Sequence, residues 1–250
     1  MQLASLSRLF DATGGLIWHA RALRSRRSLW RPFLEEVSSF LDQAPPGHQN
    51  LVLVGPSAGW CLSDKFLQNF GSITCIDPDP LAPLLFNFIH GAALRRSRSK
   101  LKWIDADFFA DPLLYLGQAE DQLVLFCNVA GQLFLNSQSQ VEVEARLASI
   151  PNILSGYNWG SFHDLLSAPI QQALPARRLS SKLDGERVIS DYGQGGTWLD
   201  HWTANFLPAE VPRVIIPWQL KPKRLHLVEA GWVSKSFALR AGDLFTSHHH

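Results

Sequence analysis

Residues 51–60 read LVLVGPSAGW, and residues 73–77 read ITCID. Four apolar residues run directly into a turn of small residues. The helix-like spacing of Leu62, Phe66 and Phe70 follows, and then a second apolar run that stops on a carboxylate, Asp77. An apolar strand, a glycine-containing turn, a helix and a second strand form a β-α-β unit. Its first turn lets a ligand approach the backbone at a helix N-terminus. Asp77, at the tip of the second strand, stands where the diol of a ribose would lie, so the pattern points to a nucleoside-type cofactor.

The alternation continues. Strands are expected at 51–54, 73–76, 101–104 and 122–127, with helices at 60–70, 80–90, 111–117 and 139–149. Such alternation implies a parallel sheet with helices on both faces. Runs such as Leu123 to Cys127 are apolar throughout, as strands covered on both sides are. Residues 1–48 read as a helical cap: Trp30, Phe33, Leu34, Val37, Phe40 and Leu41 follow an amphipathic helical stripe, with Ser28 as N-cap and Pro32 in the first turn. Residues 49–247 form the cofactor-binding domain. Within it Gly160 to Asp164 reads as a fifth strand and 166–212 as a lid insertion containing Gly193 to Gly196. Residues 214–218 and 225–228 pair as an antiparallel hairpin, or 222–230 is a helix feeding a strand at 233–239. The fold class is α/β, doubly wound, with a mostly parallel seven-strand sheet.

Composition narrows the field. A chain of 250 residues with 46% hydrophobic and 18% charged residues folds around a substantial core. A net charge of +1 argues against a wholly basic nucleic-acid binder. Two clusters remain, Arg21, Arg24, Arg26, Arg27 and Arg31, and Arg95, Arg96, Arg98, Lys100 and Lys102. They read as solvated surface or as a site for RNA or a phosphate-bearing substrate. Cys61, Cys75 and Cys127 lack metal-ligand spacing and suit reduced thiols of a cytoplasmic protein. Neither a membrane span nor a secretory leader is expected, and His248, His249 and His250 read as a tag remnant.

The order of elements and these motifs resemble the class I S-adenosylmethionine-dependent methyltransferase superfamily, over roughly residues 49–165. The resemblance implies S-adenosylmethionine as cofactor. Gly55, Pro56, Ser57 and Gly59 form the loop at its amino-acid portion, Asp77 meets the ribose hydroxyls, and Asp107 meets the adenine. Asn128, after the fourth strand, faces the methyl group. The chain departs from the family at Leu53, where an acid is usual, and at Ser57, where a glycine is usual. Read without a ligand, Gly55 and Gly59 serve a tight turn, Asp77 caps a helix and Asn128 caps a turn. Asp105 and Asp107 alternate on one strand end, so only one should face the pocket; Asp107 is favoured.

Neither a G-x-G-x-x-G dinucleotide loop nor a G-x-x-x-x-G-K-[ST] phosphate loop is present. Asn128 is followed by Val, Ala and Gly, which does not match the Pro-Pro-aromatic signature of amino-group methyltransferases acting on adenine or glutamine. His163 at a strand tip is the candidate base, because an imidazole titrates near neutrality. Asp164, Asp200, His201 and Trp202 are candidates to face the substrate, and no metal is expected, since neither His–Asp dipeptide has diagnostic spacing. The aromatic residues Tyr157, Trp159, Tyr192, Trp198 and Trp202 suit an apolar or planar acceptor of small or medium size; Arg177 and Arg178 would suit an acidic one. A non-catalytic binding module on the same fold is the competing class.

Overall fold

The computed structural model describes residues 15–136, 139–170 and 198–235. The centre of the expected lid, with Arg177, Arg178, Tyr192 and Gly193 to Gly196, lies outside the described residues, as do residues 236–239 and the terminal histidines.

Among the described residues two N-terminal helices, α1 (Gly15–Ser25) and α2 (Arg31–Leu41), precede β1 (Asn50–Val54), α3 (Asp64–Leu67), β2 (Ser72–Ile76), α4 (Ala82–Ser97) and β3 (Lys100–Ile104). Then come two 3-10 turns (Phe108–Ala110 and Pro112–Tyr115), β4 (Gln122–Cys127), a 3-10 segment (Ala130–Asn136) and α5 (Gln140–Ile153). The chain continues through β5 (Asn158–Pro169), β6 (Leu199–Asp200), β7 (Arg213–Lys221) and β8 (Arg224–Val233). The strands form one sheet in the order β3-β2-β1-β4-β5-β8-β7, with β6 pairing β5. Strands β1 to β5 are parallel to one another, while β8 runs antiparallel to both β5 and β7. The expected doubly wound, mostly parallel sheet is present, with the short β6 as an eighth strand. The alternative of a helix over 222–230 is replaced by β8, whose alternating faces both meet core.

Four elements differ from expectation. Strand β5 runs from Asn158 to Pro169, beyond the expected Asp164 and into the span expected as lid, because it pairs with β8 along that length. The helix expected over 60–70 is one turn, α3, because the chain first folds through bonds from Gly59 N–H to Pro56 O and from Leu62 N–H to Gly59 O. Ser63 then caps α3 by accepting from Phe66 N–H. The helix expected over 111–117 is a 3-10 turn opened by Pro112. Finally, α2 begins after Trp30 rather than Ser28, with Pro32 in its first turn.

The core lies on both faces of the sheet. One side gathers Leu53, Leu125, Phe162, Trp218 and the N-terminal helices; the other gathers Val52, Phe126, Trp159, Phe206 and α5. The N-terminal helices belong to the first of these cores: Phe33 stacks on Trp218 with centroids 4.6 Å apart, and Trp30 Nε1–H donates to Leu220 O at 3.1 Å. No described helix is long and apolar enough to cross a membrane.

Candidate functional site

The strand order reverses between β1 and β4, and in an open α/β sheet this leaves a crevice beyond the carboxyl ends of the strands. A cleft of about 460 Å³ opens there. Its walls come from the ends of β1 (Val54, Gly55), β2 (Ile76, Asp77) and β4 (Cys127, Asn128), and from the loop after β3. The volume falls in the usual range for a cofactor or drug-sized ligand, ~300–1,000 Å³.

The loop after β1 is built for close approach. Gly55 has φ +63°, and a Cβ there would lie 2.5 Å from Cβ of Val129. Gly59 has φ +70°, and a Cβ would meet His90 and Phe86. Ser57 also adopts a left-handed conformation, φ 49°, which an L side chain rarely takes. Its N–H donates to Asp77 Oδ2 at 2.7 Å, tying the loop to the end of β2. Asp77 Oδ1 accepts from Asp79 N–H at 2.8 Å. Each Asp77 oxygen therefore keeps lone-pair capacity toward the cleft. Burial pushes the Asp77 carboxyl up to about 6, against the two backbone hydrogen bonds that favour its charged form. Leu53, where an acid was absent, is fully buried among apolar residues.

Helix α1 closes one side. Gly15 N–H donates to Asp79 Oδ2 at 2.9 Å, and the same oxygen lies 3.0 Å from His19 Nε2. Trp60 Nε1–H can only donate, and it meets His19 Nδ1 at 2.9 Å. The His19 proton must therefore sit on Nε2, facing Asp79. Burial raises the Asp79 carboxyl, but the bonds from His19, Gly15 and Leu81 outweigh it and hold the group below its ordinary value. Trp18 from the same helix lines the cleft and donates to Ser57 Oγ at 3.2 Å.

Both Asp105 and Asp107 line the cleft, where only one was expected. Strand β3 ends at Ile104, so both stand in a loop to which strand alternation does not apply. Asp107 also accepts from Phe109 N–H at 3.0 Å, shaping the turn that brings Phe108 and Phe109 to the wall. The described lining contains four aspartates, Asp77, Asp79, Asp105 and Asp107, and no Lys, Arg or His. The cleft favours a cationic ligand.

His163 does not reach the cleft. Strand β5 continues to Pro169, so His163 lies mid-strand and its neighbour Phe162 takes the cleft side. His163 is fully buried on the other face, with Nδ1 2.9 Å from Ser161 Oγ and Nε2 3.5 Å from Glu229. Burial pushes Glu229 up, but His163 and Arg213 outweigh it and keep its carboxyl below the ordinary value. Asn128 lines the cleft with a left-handed φ of 55°, but its amide is turned to β5. Its Oδ1 accepts from Asp164 N–H at 2.7 Å, and its Nδ2 donates to Asp164 Oδ2 at 3.2 Å. Its side chain thus positions β4 against β5.

Asp164, Asp200, His201 and Trp202 do not line the cleft. Asp200 is exposed and accepts from Trp202 N–H, and Trp202 packs against the far core. Asp164 and His201 are buried and join His226 of β8, which sequence reasoning did not single out. Burial raises Asp164, yet His226, His201 and Asn128 hold it below the ordinary value. Burial lowers His201. The other residues missed from sequence are Trp18, His19, Asp79 and Trp218 in or behind the cleft wall; only the tryptophan content hinted at them. Cys61 and Cys127 line the cleft, but burial pushes both thiols up, Cys61 to about 12, which makes them poor nucleophiles.

The two basic clusters are separated. Arg21 and Arg26 lie over the rings of Trp18 and Trp60 near the cleft. Arg98 and Lys100 instead stand at the start of β3, the end of the strand away from the cleft.

No family model and no curated protein sequence matches the chain. Among solved structures it is similar to the N-methyltransferase NodS from Bradyrhizobium japonicum WM9 in complex with S-adenosyl-L-homocysteine. That likeness has 16% identity and a TM-score of 0.43 and covers 82% of this chain and 88% of the other. It is also similar to magnesium protoporphyrin IX methyltransferase (ChlM) from Synechocystis PCC 6803 with bound S-adenosylmethionine, at 13% identity and a TM-score of 0.43 over 92% and 91% of the two chains. Both are likenesses of fold at low identity.

Proposed function

We propose that the protein is an S-adenosylmethionine-dependent methyltransferase acting on a small or medium-sized acceptor with an apolar or planar body. The observation that carries this reading is the acidic cleft at the strand-order reversal, where the Gly55–Gly59 loop is tied to Asp77 through Ser57 N–H. Asp77 offers its remaining lone pairs to ribose hydroxyls. Ile76, Ala106 and Phe108 supply an apolar slot for a base, with Asp105 and Asp107 at its edge. The loop backbone meets the amino-acid portion. When bound, the cofactor supplies an electrophilic methyl group on a cationic sulfur, which the four aspartates favour electrostatically.

The remaining work of the protein is alignment and exclusion of water. Trp18 gives the cleft a flat apolar wall suited to a planar acceptor, backed by the buried Trp60 and Trp218. The described lining presents no imidazole or amine base, so the acceptor atom must already be nucleophilic or lose its proton to a carboxylate or water. An RNA acceptor would need both basic clusters beside the cleft, and the second stands at the opposite end of β3.

Thermal-shift measurements with S-adenosylmethionine, S-adenosylhomocysteine and NAD test the reading. Stabilisation by the first two, weakened in Asp77→Asn, is expected. Stabilisation by NAD alone would point to a dehydrogenase-like protein. Stabilisation by none would leave a binding module on this fold.

A further inference from the structure

Behind Asn128, a β-bulge changes what strand β5 can present. Its pairing with β8 runs Asp164 opposite Val228 and then Leu166 opposite Leu227, so Leu165 is an extra residue. In a regular strand residues 164 and 167 point to opposite faces. One inserted residue brings them to the same face. Ser167 lies opposite His226, and Asp164 and His226 converge on the side of the sheet that carries Phe162 and Trp218. The backbone freed by the bulge is taken up from the segment after β6. His201 N–H donates to Leu165 O at 3.1 Å, and Thr203 Oγ1 donates to Asp164 O at 2.8 Å. This docks the His201 ring against the same spot.

One potential ligand atom from each of Asp164, His201 and His226 falls in a group whose members all lie within 4.8 Å of one another, and all three residues are more than nine-tenths buried. Asp164 Oδ1 and His226 Nδ1 are 3.0 Å apart and form a carboxylate–imidazole pair without a well-formed hydrogen bond. Neither atom completes a hydrogen bond among the described residues, and a cation shared between them would satisfy both. Ligand atoms at ~2.1 Å from a tetrahedral ion sit ~3.4 Å apart, so small side-chain movements would close the three groups around one ion. His201 is oriented as a ligating imidazole usually is, with Nδ1 3.0 Å from the Gly131 carbonyl and Nε2 directed inward to Ser167 Oγ at 3.1 Å. Gly131 permits this approach, since a Cβ there would lie 2.8 Å from Asp164 Cβ. Asn128 holds the other Asp164 oxygen, leaving Oδ1 to face His226. Arg224 stands next to the cluster but donates to Ser167 Oγ at 2.9 Å.

We propose that Asp164, His201 and His226 bind one divalent first-row transition-metal ion, which staples β5, β8 and the segment after β6 behind the cleft. Two imidazoles and one carboxylate are a donor set for zinc, cobalt, iron or nickel rather than for magnesium or calcium. Three protein ligands leave at least one position for water or another oxygen ligand.

Co²⁺ is the probe, because its visible absorption reports nitrogen and oxygen ligation directly. Metal-depleted full-length protein is titrated with Co²⁺ and, separately, followed by thermal melting with Zn²⁺. The expected result is a saturable visible band and a higher melting temperature with Zn²⁺. In His226→Gln, shown to be folded by a cooperative melt, one equivalent is lost or bound about tenfold or more weakly. The conservative Asp164→Asn should behave likewise. Metal-depleted wild-type protein that takes up no Co²⁺ overturns the proposal whatever the variants do. So does uptake that His226→Gln leaves unchanged, since the ion then sits elsewhere, for example on the terminal histidines. S-adenosylmethionine is absent from this experiment, so its outcome is independent of the methyltransferase reading.

Discussion

At Gly55 the backbone conformation and the space around it make one demand. A side chain there must adopt a left-handed φ and also enter the volume of Val129. Gly55→Ala should therefore lower stability by about 2–4 kcal/mol, the sum of the left-handed penalty and an overpacked contact. Val129→Gly removes the clash without changing φ, so a double-mutant cycle in denaturant should show favourable coupling. Strict additivity would mean that the turn relaxes away from Val129. Residues of this kind were legible in sequence, because a glycine after an apolar run has few other reasons to be there. His163 was not. A His–Asp pair reads as a strand tip only if the strand ends there, and β5 runs on to Pro169. Nothing local marks that continuation: its pairing with β8, which carries the strand to Pro169, is formed by residues distant in sequence.

Strand identity followed from apolar runs, and β1 to β4 lie where those runs lie, since a strand covered on both faces leaves a simple signature. Helices were harder. The Leu62, Phe66 and Phe70 spacing is genuine and buries all three, but turns alone deliver it, with α3 only one turn long. The part of α1 was invisible for another reason: its link to the cleft depends on Asp79, far along the chain. His19→Ala cuts that link at both ring nitrogens and strands the Trp60 Nε1–H. A loss of about 1–3 kcal/mol is expected from the unpaired groups. Dissociation of a cleft ligand should also quicken, because α1 carries Gly15 and Trp18 into the wall. Calorimetric melting and stopped-flow dissociation of S-adenosylhomocysteine check the two effects. An unchanged melting temperature and off-rate would mean that other contacts hold α1.

Across the whole molecule, the buried carboxylates pull stability in opposite directions with pH. Asp79, Asp164 and Glu229 sit below their ordinary values, so the stability they contribute is present above the unfolded range and is lost on acidification. Asp77 is raised to about 6, so the folded state retains a proton that the unfolded chain releases. Its contribution weakens stability as pH climbs from ~4 to about 6, by up to about 3 kcal/mol. Asp77→Asn should accordingly gain on the wild type between pH 4.5 and 7.5 when both are free of ligand. Cofactor affinity should run the other way, tightening in the wild type as Asp77 ionises and staying flat in the variant. Melting curves and titration calorimetry at the two pH values read both trends; parallel wild-type and variant profiles would remove Asp77 from the cleft chemistry.

The aromatic walls of the cleft have an optical consequence. Of the nine tryptophans, Trp18 lines the cleft with Trp60 and Trp218 buried directly behind it, and indole emission responds to the polarity and charge beside the ring. The protein thus carries its own reporter. Filling the cleft should shift or quench part of the intrinsic fluorescence, and Trp18→Phe should diminish that signal. Occupancy can then be followed on unlabelled protein before any acceptor has been identified.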